Sequence, residues 1–590
     1  MKTSKKKNVG VVRSKSGFSF RLWAPNAKQV YLIGTFNNWT KDPMVSENDG
    51  YWHVMSKNAK EGQEYKFVIE NGDKVITHND PRSMHFTTAA GASVIYVNNF
   101  DWESDSYIPP PINEQVIYEL HIGTFNRPDP AMNGTFESAI KKLDHLKKLG
   151  ITTIELMPIN TMILDRGWGY GIDYMFAVES LYGGHHGFKQ FVKEAHKRNM
   201  GVVLDVVYNH LGPDTSLDLW QYDGWSENNQ GGIYFYNDWR AETPWGNTRP
   251  DYGRPEIHQY ILDNVRMLLH DCHLDGLRVD STIYIRNVKG HDSDPSTDLP
   301  EGWELLQKIN KVTKEINPRA ITIAEDLGCN EYLTKQIIDG GVGFSAQWDL
   351  SGPSIFRNAL SSDNPEYINL AELITMMNKR FNDDPFQRVI YMDSHDSAAN
   401  GSSRFVSVIA PKDTNSYFAR KQSLIAATLQ LTLPGIPMLF QGQEFLETGE
   451  FNDWQALDWT KTEIKNNQGI IEAYRKLIEL RRNYFGHSKG LTGKNCNLLN
   501  YDETNKVISY HRWYEGGHGD DVVVIINFGN RDFNEYTLNL PHDGEWQVAF
   551  SSAENKYVGE SKKFKLSTVQ VEHGSTTIKI PQSCSIVLTR

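Results

Sequence analysis

Four cysteines in 590 residues are too few for a disulfide framework. Cys272, Cys329, Cys496 and Cys584 lie far apart and form no C-x-x-C pair, which excludes the spacing of a structural zinc site. No window of about twenty apolar residues occurs, so no membrane-spanning helix is expected. No basic block stands out either: the net charge of −12 is spread along the chain, which argues against nucleic acid or an anionic membrane as the main partner. The opening "MKTSKKKNVGVVRSKSG" is basic but lacks the apolar run of a signal peptide, so a cytoplasmic protein is expected. Internal repeats and low-complexity tracts are absent.

Aromatic residues, in contrast, are plentiful. The 15 Trp and 27 Tyr serve core packing first, but flat rings also stack on the apolar faces of sugars, which favours a carbohydrate ligand. With 39% hydrophobic residues the chain can bury large cores and divide into several domains.

The texture of the sequence changes twice. After a tail over 1–15, residues 16–105 read as short strands, because "FSFRLWAP" and "QVYLIGTF" alternate with period two and "ENDG" and "ENGD" mark turns. A β-sandwich is expected there, followed by a linker over 106–114 whose three consecutive prolines favour an extended segment. From 115 to 485, eight apolar strand candidates alternate with helical stretches: "QVIYELHIG", "ITTIELMPI", "GVVLDVVYNH", "DGLRVDS", "AITIAEDLG", "GFSAQWDL", "RVIYMDSHD" and "GIPMLFQGQE". In "TFESAIKKLDHLKKLG", Phe136, Ile140, Leu143, Leu146 and Leu149 recur at spacings of four and three, which predicts one helix stopped by Gly150. Eight strands alternating with helices predict an α/β fold, a (β/α)₈ TIM barrel. A doubly wound open sheet competes, but no G-x-G-x-x-G turn follows the early strands. From 486 to 590 strand-like pieces return, and a second β-sandwich is expected.

Polar residues collect at the ends of the barrel strands. Asp205, Asn209 and His210 end the third, Arg278 and Asp280 the fourth, Glu325 and Asp326 the fifth, and Asp393, His395 and Asp396 the seventh. In such a barrel these ends open onto one face, where active sites are built. A lone Arg–Asp pair is ordinarily a structural ion pair, Asp205 could equally hold its neighbours, and Asp326 could cap a helix or be solvated. Burying several carboxylates is costly unless they are paired, so stability alone does not account for four such strand ends. Two carboxylates flanking a glycosidic bond suit glycoside chemistry: one, kept ionised by a neighbouring Arg, attacks the anomeric carbon, and the other, its pKa raised by nearby acids, protonates the leaving oxygen. Asp280 beside Arg278 suits the first task and Glu325 the second, while His210 and His395 can donate to sugar hydroxyls, and Asp205 and Asn209 are further candidate substrate-binding residues.

The stretches "DVVYNH", "GLRVDS", "IAED" and "DSHD" resemble the four catalytic regions of the α-amylase superfamily, glycoside hydrolase family 13, in order and at comparable spacing. The resemblance implies Asp280 as nucleophile, Glu325 as general acid/base and Asp396 as a third acid that orients the sugar. It puts His210, Arg278 and His395 at supporting positions, and Tyr170 in "GWGYGIDY" at the tyrosine that stacks on the same sugar. The segment "FRLWAPNAKQVYLIGTFNNW" resembles a family 48 carbohydrate-binding module, with Trp39 and Trp52 as candidate glucan contacts against a competing core role. The loop "TPWGNTRPDYGRPEIHQYIL" is similar to branching enzymes and maltooligosyltrehalose trehalohydrolases, and the overall match is to bacterial 1,4-α-glucan branching enzymes. That implies cleavage of α-1,4 bonds in an α-glucan or maltooligosaccharide with branching-type transfer; the alternative is hydrolysis.

One position departs from the pattern. Branching enzymes typically carry glutamate after the third acid, where this chain has Ser397, which puts the choice of acceptor in doubt. Asn209 matches a calcium-binding position of many amylases, but the loop supplying the other ligands is not recognisable, so neither a metal nor a cofactor is expected. A monomer or weak homo-oligomer is expected. A glucan-binding protein with a retired barrel and a metal hydrolase are the readings from other classes. The intact set of acids opposes the first, and the lack of an H-E-x-x-H pair opposes the second.

Overall fold

The computed structural model describes residues 8–87, 91–162, 166–212, 217–361, 367–559 and 564–590. The first strand, Gly10–Ser14, lies inside the stretch expected as a tail. It pairs antiparallel with Gly17–Trp23, so its backbone groups are satisfied in a ladder rather than by water. Residues 1–7 of that expected tail lie outside the described residues.

The N-terminal module consists of two antiparallel sheets. Strand Gly17–Trp23 shows why: Phe18, Phe20 and Leu22 are buried while Gly17, Ser19 and Arg21 are half-buried, the period-two signature of a one-sided sheet. Trp52 is buried in this core with its indole N–H on the Ala24 carbonyl (3.1 Å), whereas Trp39 is exposed.

All eight expected barrel strands form, and they close into one parallel barrel. They are β1 (Ile117–Leu120), β2 (Thr153–Leu156), β3 (Gly201–Val206), β4 (Gly276–Val279), β5 (Ile321–Ala324), β6 (Ala346–Trp348), β7 (Arg388–Ile390) and β8 (Ile436–Phe440). Register places Glu119 of β1 opposite Glu155 of β2, and Asp205 of β3 opposite Arg278 of β4. The helix expected from Phe136 to Leu149 splits into Phe136–Ile140 and Leu143–Leu149. Tight i→i−3 bonds, Lys142 N–H to the Ala139 carbonyl (2.9 Å) and His145 N–H to the Lys142 carbonyl (3.0 Å), interrupt it. Both pieces keep the predicted apolar face, and Gly150 (φ +98°) caps the second in the left-handed conformation that glycine adopts without cost.

The C-terminal region forms a six-stranded and a two-stranded antiparallel sheet. It docks on helix Tyr417–Thr432, where Thr428 Oγ1 meets Ser585 Oγ (2.7 Å) and Thr432 Oγ1 meets the Tyr510 hydroxyl (2.5 Å). Among the described residues no helix is long and apolar enough to cross a membrane.

The N-terminal module and the barrel share one continuous apolar core, in which Trp23 packs edge-on against Tyr234 (5.6 Å between centroids). A polar seam beside it is built on two aspartates from the loop after β3. Asp218 Oδ2 accepts from the Asn79 backbone N–H (3.0 Å) and the Tyr174 hydroxyl (2.6 Å), and Asp223 Oδ2 accepts from the backbone N–H (2.8 Å) and the side-chain amide (2.9 Å) of Asn26. Burial would raise the Asp218 carboxyl, but His78, Tyr174 and the Asn79 backbone more than offset it and hold its pKa below the usual carboxylate range. Asp218→Ala is therefore expected to lower stability by about 1–3 kcal/mol through orphaned donors, read by urea unfolding. The depressed pKa fixes the sign of the pH effect: the contribution is complete above the unfolded-state aspartate pKa and is lost as pH falls below it, so the gap between wild type and variant closes in acid.

Candidate active site

Strand β4 ends as it does for identifiable reasons. Gly276 opens it because a Cβ there would stand 2.0 Å from the Ile321 carbonyl oxygen of β5. Leu277 and Val279 enter the core, and the backbone N–H of Asp280 still bonds the Val206 carbonyl (3.0 Å). Ser281 then turns left-handed (φ +43°), a conformation that costs a non-glycine residue roughly 1–3 kcal/mol. That turn aims its backbone N–H at Glu325 Oε2, 2.7 Å away.

Arg278 organises the acids. Its side chain is fully buried, with Nη1 2.6 Å from Asp205 Oδ2 and 2.7 Å from Asp280 Oδ1, and Nη2 3.5 Å from Glu325 Oε2. The Trp348 ring lies 4.3 Å from its guanidinium carbon. Burial opposes the charge, but Asp205, Tyr170, Glu325 and Asp280 together push its pKa above the ordinary arginine value. Asn209 completes the grip on Asp280, its amide donating to Oδ2 (2.7 Å) and to the backbone carbonyl (3.0 Å). Both carboxylate oxygens of Asp280 are thus held by donors from β4 and from the end of β3.

The neighbouring acids differ. Burial, helped by the charges of Asp280 and Asp396 and opposed by Arg278, raises Glu325 to about 7. Burial and the Asp280 charge bring Asp205 to about 6, against the pull of Arg278. Glu325 is therefore a carboxyl group that is substantially protonated near neutrality, beside an acid whose two oxygens both accept hydrogen bonds.

The opposite wall comes from β7 and the loop after β2. His395 Nδ1 meets Glu119 Oε1 (2.5 Å), and Nε2 lies 2.9 Å from the Tyr170 hydroxyl and 3.6 Å from Asp396 Oδ2. The Tyr170 hydroxyl donates to Asp205 Oδ2 (2.6 Å), its ring stacked on His395 (5.1 Å). Asp396 is exposed at the mouth, its side chain 54% accessible.

The structure brings Asp280, Glu325, Arg278, Tyr170, His395 and Asp396 together. Three further residues singled out from sequence lie beside this group. Asp205 and Asn209 are buried; Asp205 Oδ2 accepts from Arg278 and from the Tyr170 hydroxyl, and the Asn209 amide donates to Asp280. His210, expected to donate to sugar, has Nδ1 bonded to Asn209 Oδ1 and its ring stacked under Trp245 (4.6 Å). Burial lowers it to about 4, so it is neutral at physiological pH. Asp326 is neither solvated nor a helix cap; it is buried against Arg286 Nη2 (2.9 Å) and Thr282 Oγ1 (2.9 Å). Asp393 holds the following loop through the Phe405 N–H (2.8 Å) and Arg357 Nη2 (3.0 Å). Sequence reasoning missed Glu119 and Trp245. A glutamate inside the otherwise apolar "QVIYELHIG" could have flagged the first; nothing in the local pattern distinguishes the second from other exposed tryptophans.

Comparison with known proteins agrees with this layout. The model of the α-amylase catalytic domain matches residues 119–224 and 213–477. The carbohydrate-binding module 48 (isoamylase N-terminal domain) matches 8–83, and the α-amylase C-terminal all-β domain matches 499–590. The 1,4-alpha-glucan branching enzyme GlgB of Lactobacillus acidophilus is 31% identical over 582 residues, covering 92% of this chain and 86% of that one. The malto-oligosyltrehalose trehalohydrolase of Saccharolobus solfataricus is 29% identical over 617 residues, covering 94% and 97%. A pullulanase from Anoxybacillus sp. LM18-11, solved with maltotetraose, shares the fold with a TM-score of 0.76 at 20% identity, covering 99% of this chain and 87% of that one.

The raised Glu325 pKa carries a consequence for stability. A carboxyl that folding raises favours the native state when protonated, so its penalty is absent below the unfolded glutamate value and grows as pH rises toward 7. Glu325→Gln keeps an acceptor for the Ser281 N–H and removes the charge. It is expected to be more stable than wild type at pH 8, by on the order of 2–3 kcal/mol, and equal to it near pH 4, as measured by denaturant unfolding at both pH values.

Proposed function

The chain belongs to the α-amylase family, and from that premise we propose that it is a retaining enzyme that cleaves α-1,4-glucosidic bonds of an α-glucan and transfers the released segment to a glucan 6-hydroxyl. The observation that carries this reading is that Asp280 and Glu325 share one buried guanidinium at the barrel mouth. Retaining pairs need carboxyl groups about 5–5.5 Å apart, and a common guanidinium supports that closeness.

In the first step a carboxylate oxygen of Asp280 bonds to the anomeric carbon. The glycosidic bond breaks, and the leaving oxygen takes the Glu325 proton. Arg278 and Asn209 hold Asp280 in place for the attack, and the environment of Glu325 keeps its proton available near neutrality. In the second step the ionised Glu325 removes a proton from the acceptor hydroxyl, whose oxygen displaces Asp280 and restores the starting configuration. Asp396, at the mouth, and Tyr170 fix the sugar of the cleaved bond, Asp396 through its hydroxyls and Tyr170 by stacking. The N-terminal module is proposed to add glucan contacts outside the barrel, with Trp39 the exposed candidate.

The names of the branching-enzyme relatives support transfer. Ser397 favours a second reading, hydrolysis. Its hydroxyl accepts from the Ser394 backbone N–H (2.8 Å) and its carbonyl from Nη2 of Arg357 on the helix Gly352–Leu360 (2.7 Å). The trehalohydrolase relative, aligned over nearly the full length of both chains, supports the same alternative.

Incubation with amylose separates the two: new α-1,6 branch points without a net gain of reducing ends are expected, whereas reducing ends without branches would establish hydrolysis. Asp280→Asn and Glu325→Gln should each lower turnover by roughly 10³-fold or more, and near-normal turnover in either would remove the assignment. Because Glu325 must begin protonated, activity should hold below about pH 7 and decline as pH rises through that value, a limb read from the kcat/KM profile.

A further inference from the structure

Glu119 is buried, and both of its oxygens are committed to a single residue. Oε1 takes His395 Nδ1 at 2.5 Å, and Oε2 takes the His395 backbone N–H at 3.1 Å. A bidentate hold on ring and backbone together leaves the imidazole no freedom to rotate or flip. The ring is also fixed from its faces and edge: Tyr170 stacks on it (5.1 Å), and Trp168 meets it edge-on (5.8 Å). What remains is Nε2, directed at the Tyr170 hydroxyl and at Asp396, the two groups assigned to the sugar of the cleaved bond.

We propose that Glu119, which does not itself reach the pocket, is a positioning residue for the glycosyl reaction: it locks the His395 ring so that the Nε2 edge is presented to the bound sugar between Tyr170 and Asp396. The inference rests on the α-glucan reading above and deepens it by extending the machinery to β1, three strands round the barrel from Arg278.

Charge follows from the same geometry. A Glu119 carboxylate on Nδ1 requires an N–H there, and Asp396 near Nε2 favours a second one, so the ring is held as imidazolium with both nitrogens donating. Burial would depress the imidazole, and Arg278 also works against its charge, but Asp396 and Glu119 outweigh them and raise His395 to about 9. Of the other titratable groups around it, His121 after β1 is lowered to about 4 by burial and the His395 charge, so it adds no competing positive charge at neutral pH. Glu155, opposite Glu119 on β2, is pushed well above the carboxylate range by burial and the Glu119 charge, so it is a neutral acid that leaves Glu119 as the counter-ion.

The test is the histidine titration of the full chain, followed by NMR of ring-labelled histidine, with the His395 signal identified by its loss in His395→Gln. In wild type that signal should remain imidazolium through neutral pH; in Glu119→Gln its midpoint should fall by at least about one unit. With amylose, Glu119→Gln should lower kcat/KM by roughly 10- to 100-fold and bring in a new loss of activity where His395 deprotonates. A wild-type His395 that titrates at or below the ordinary imidazole value overturns the proposal without any variant, as does an unchanged midpoint in Glu119→Gln. If wild type turns over no α-glucan, the functional reading fails while the titration still decides what Glu119 does.

Discussion

One guanidinium, sealed from solvent inside the barrel, sets the electrostatics of the whole mouth. Arg278 touches Asp205, Asp280 and Glu325 at once, and each contact comes from a different strand end. A buried cation of this kind gives weak net stabilisation, because the desolvation of the guanidinium and the acids around it is set against their attraction. Its value is positional. The planar fork of arginine reaches two acids with one terminal nitrogen and a third with the other, a geometry that a lysine point charge does not reproduce. The left-handed Ser281 and the commitment of Asn209 to Asp280 serve the same requirement, each bringing a donor to one of the closely packed acids.

The fold was legible because the barrel writes its rule plainly. Its strands are buried on both faces and so read as short apolar runs, and the helices between them carry a 3.6-residue stripe. All eight strand positions follow from that contrast, as does the clustering of Arg278, Asp280, Glu325, His395 and Asp396 on one face. Irregular local geometry was less legible. The interruption at Lys142 and the strand at Gly10–Ser14 depend on backbone hydrogen bonds that leave no compositional trace.

The site divides in the same way. Residues that end a strand and point along it could be read from spacing. Residues whose task is set by what stands opposite could not. Asp205 and Asn209 stand out in the sequence only as polar residues near a strand end; the partners that the structure gives Asp205 Oδ2 and the Asn209 amide, Arg278 and Asp280, lie more than seventy residues away in sequence. Glu119 shows the converse. It sits in an apolar strand with nothing nearby to explain it, and its partner His395 is 276 residues distant. Long-range pairing of this kind is a property of the closed barrel, which returns β8 to β1, and no local pattern encodes it.

The apolar core that runs without a break from the N-terminal sheets into the barrel has a bearing on how this architecture can change. Trp23 leans on Tyr234, and the Tyr260 hydroxyl reaches back to the Pro81 carbonyl (2.8 Å). A module joined only by a tether can be shuffled between enzymes, because each half keeps a wetted outer skin. Here the two halves hold each other's greasy surfaces out of water, so prising them apart would wet both.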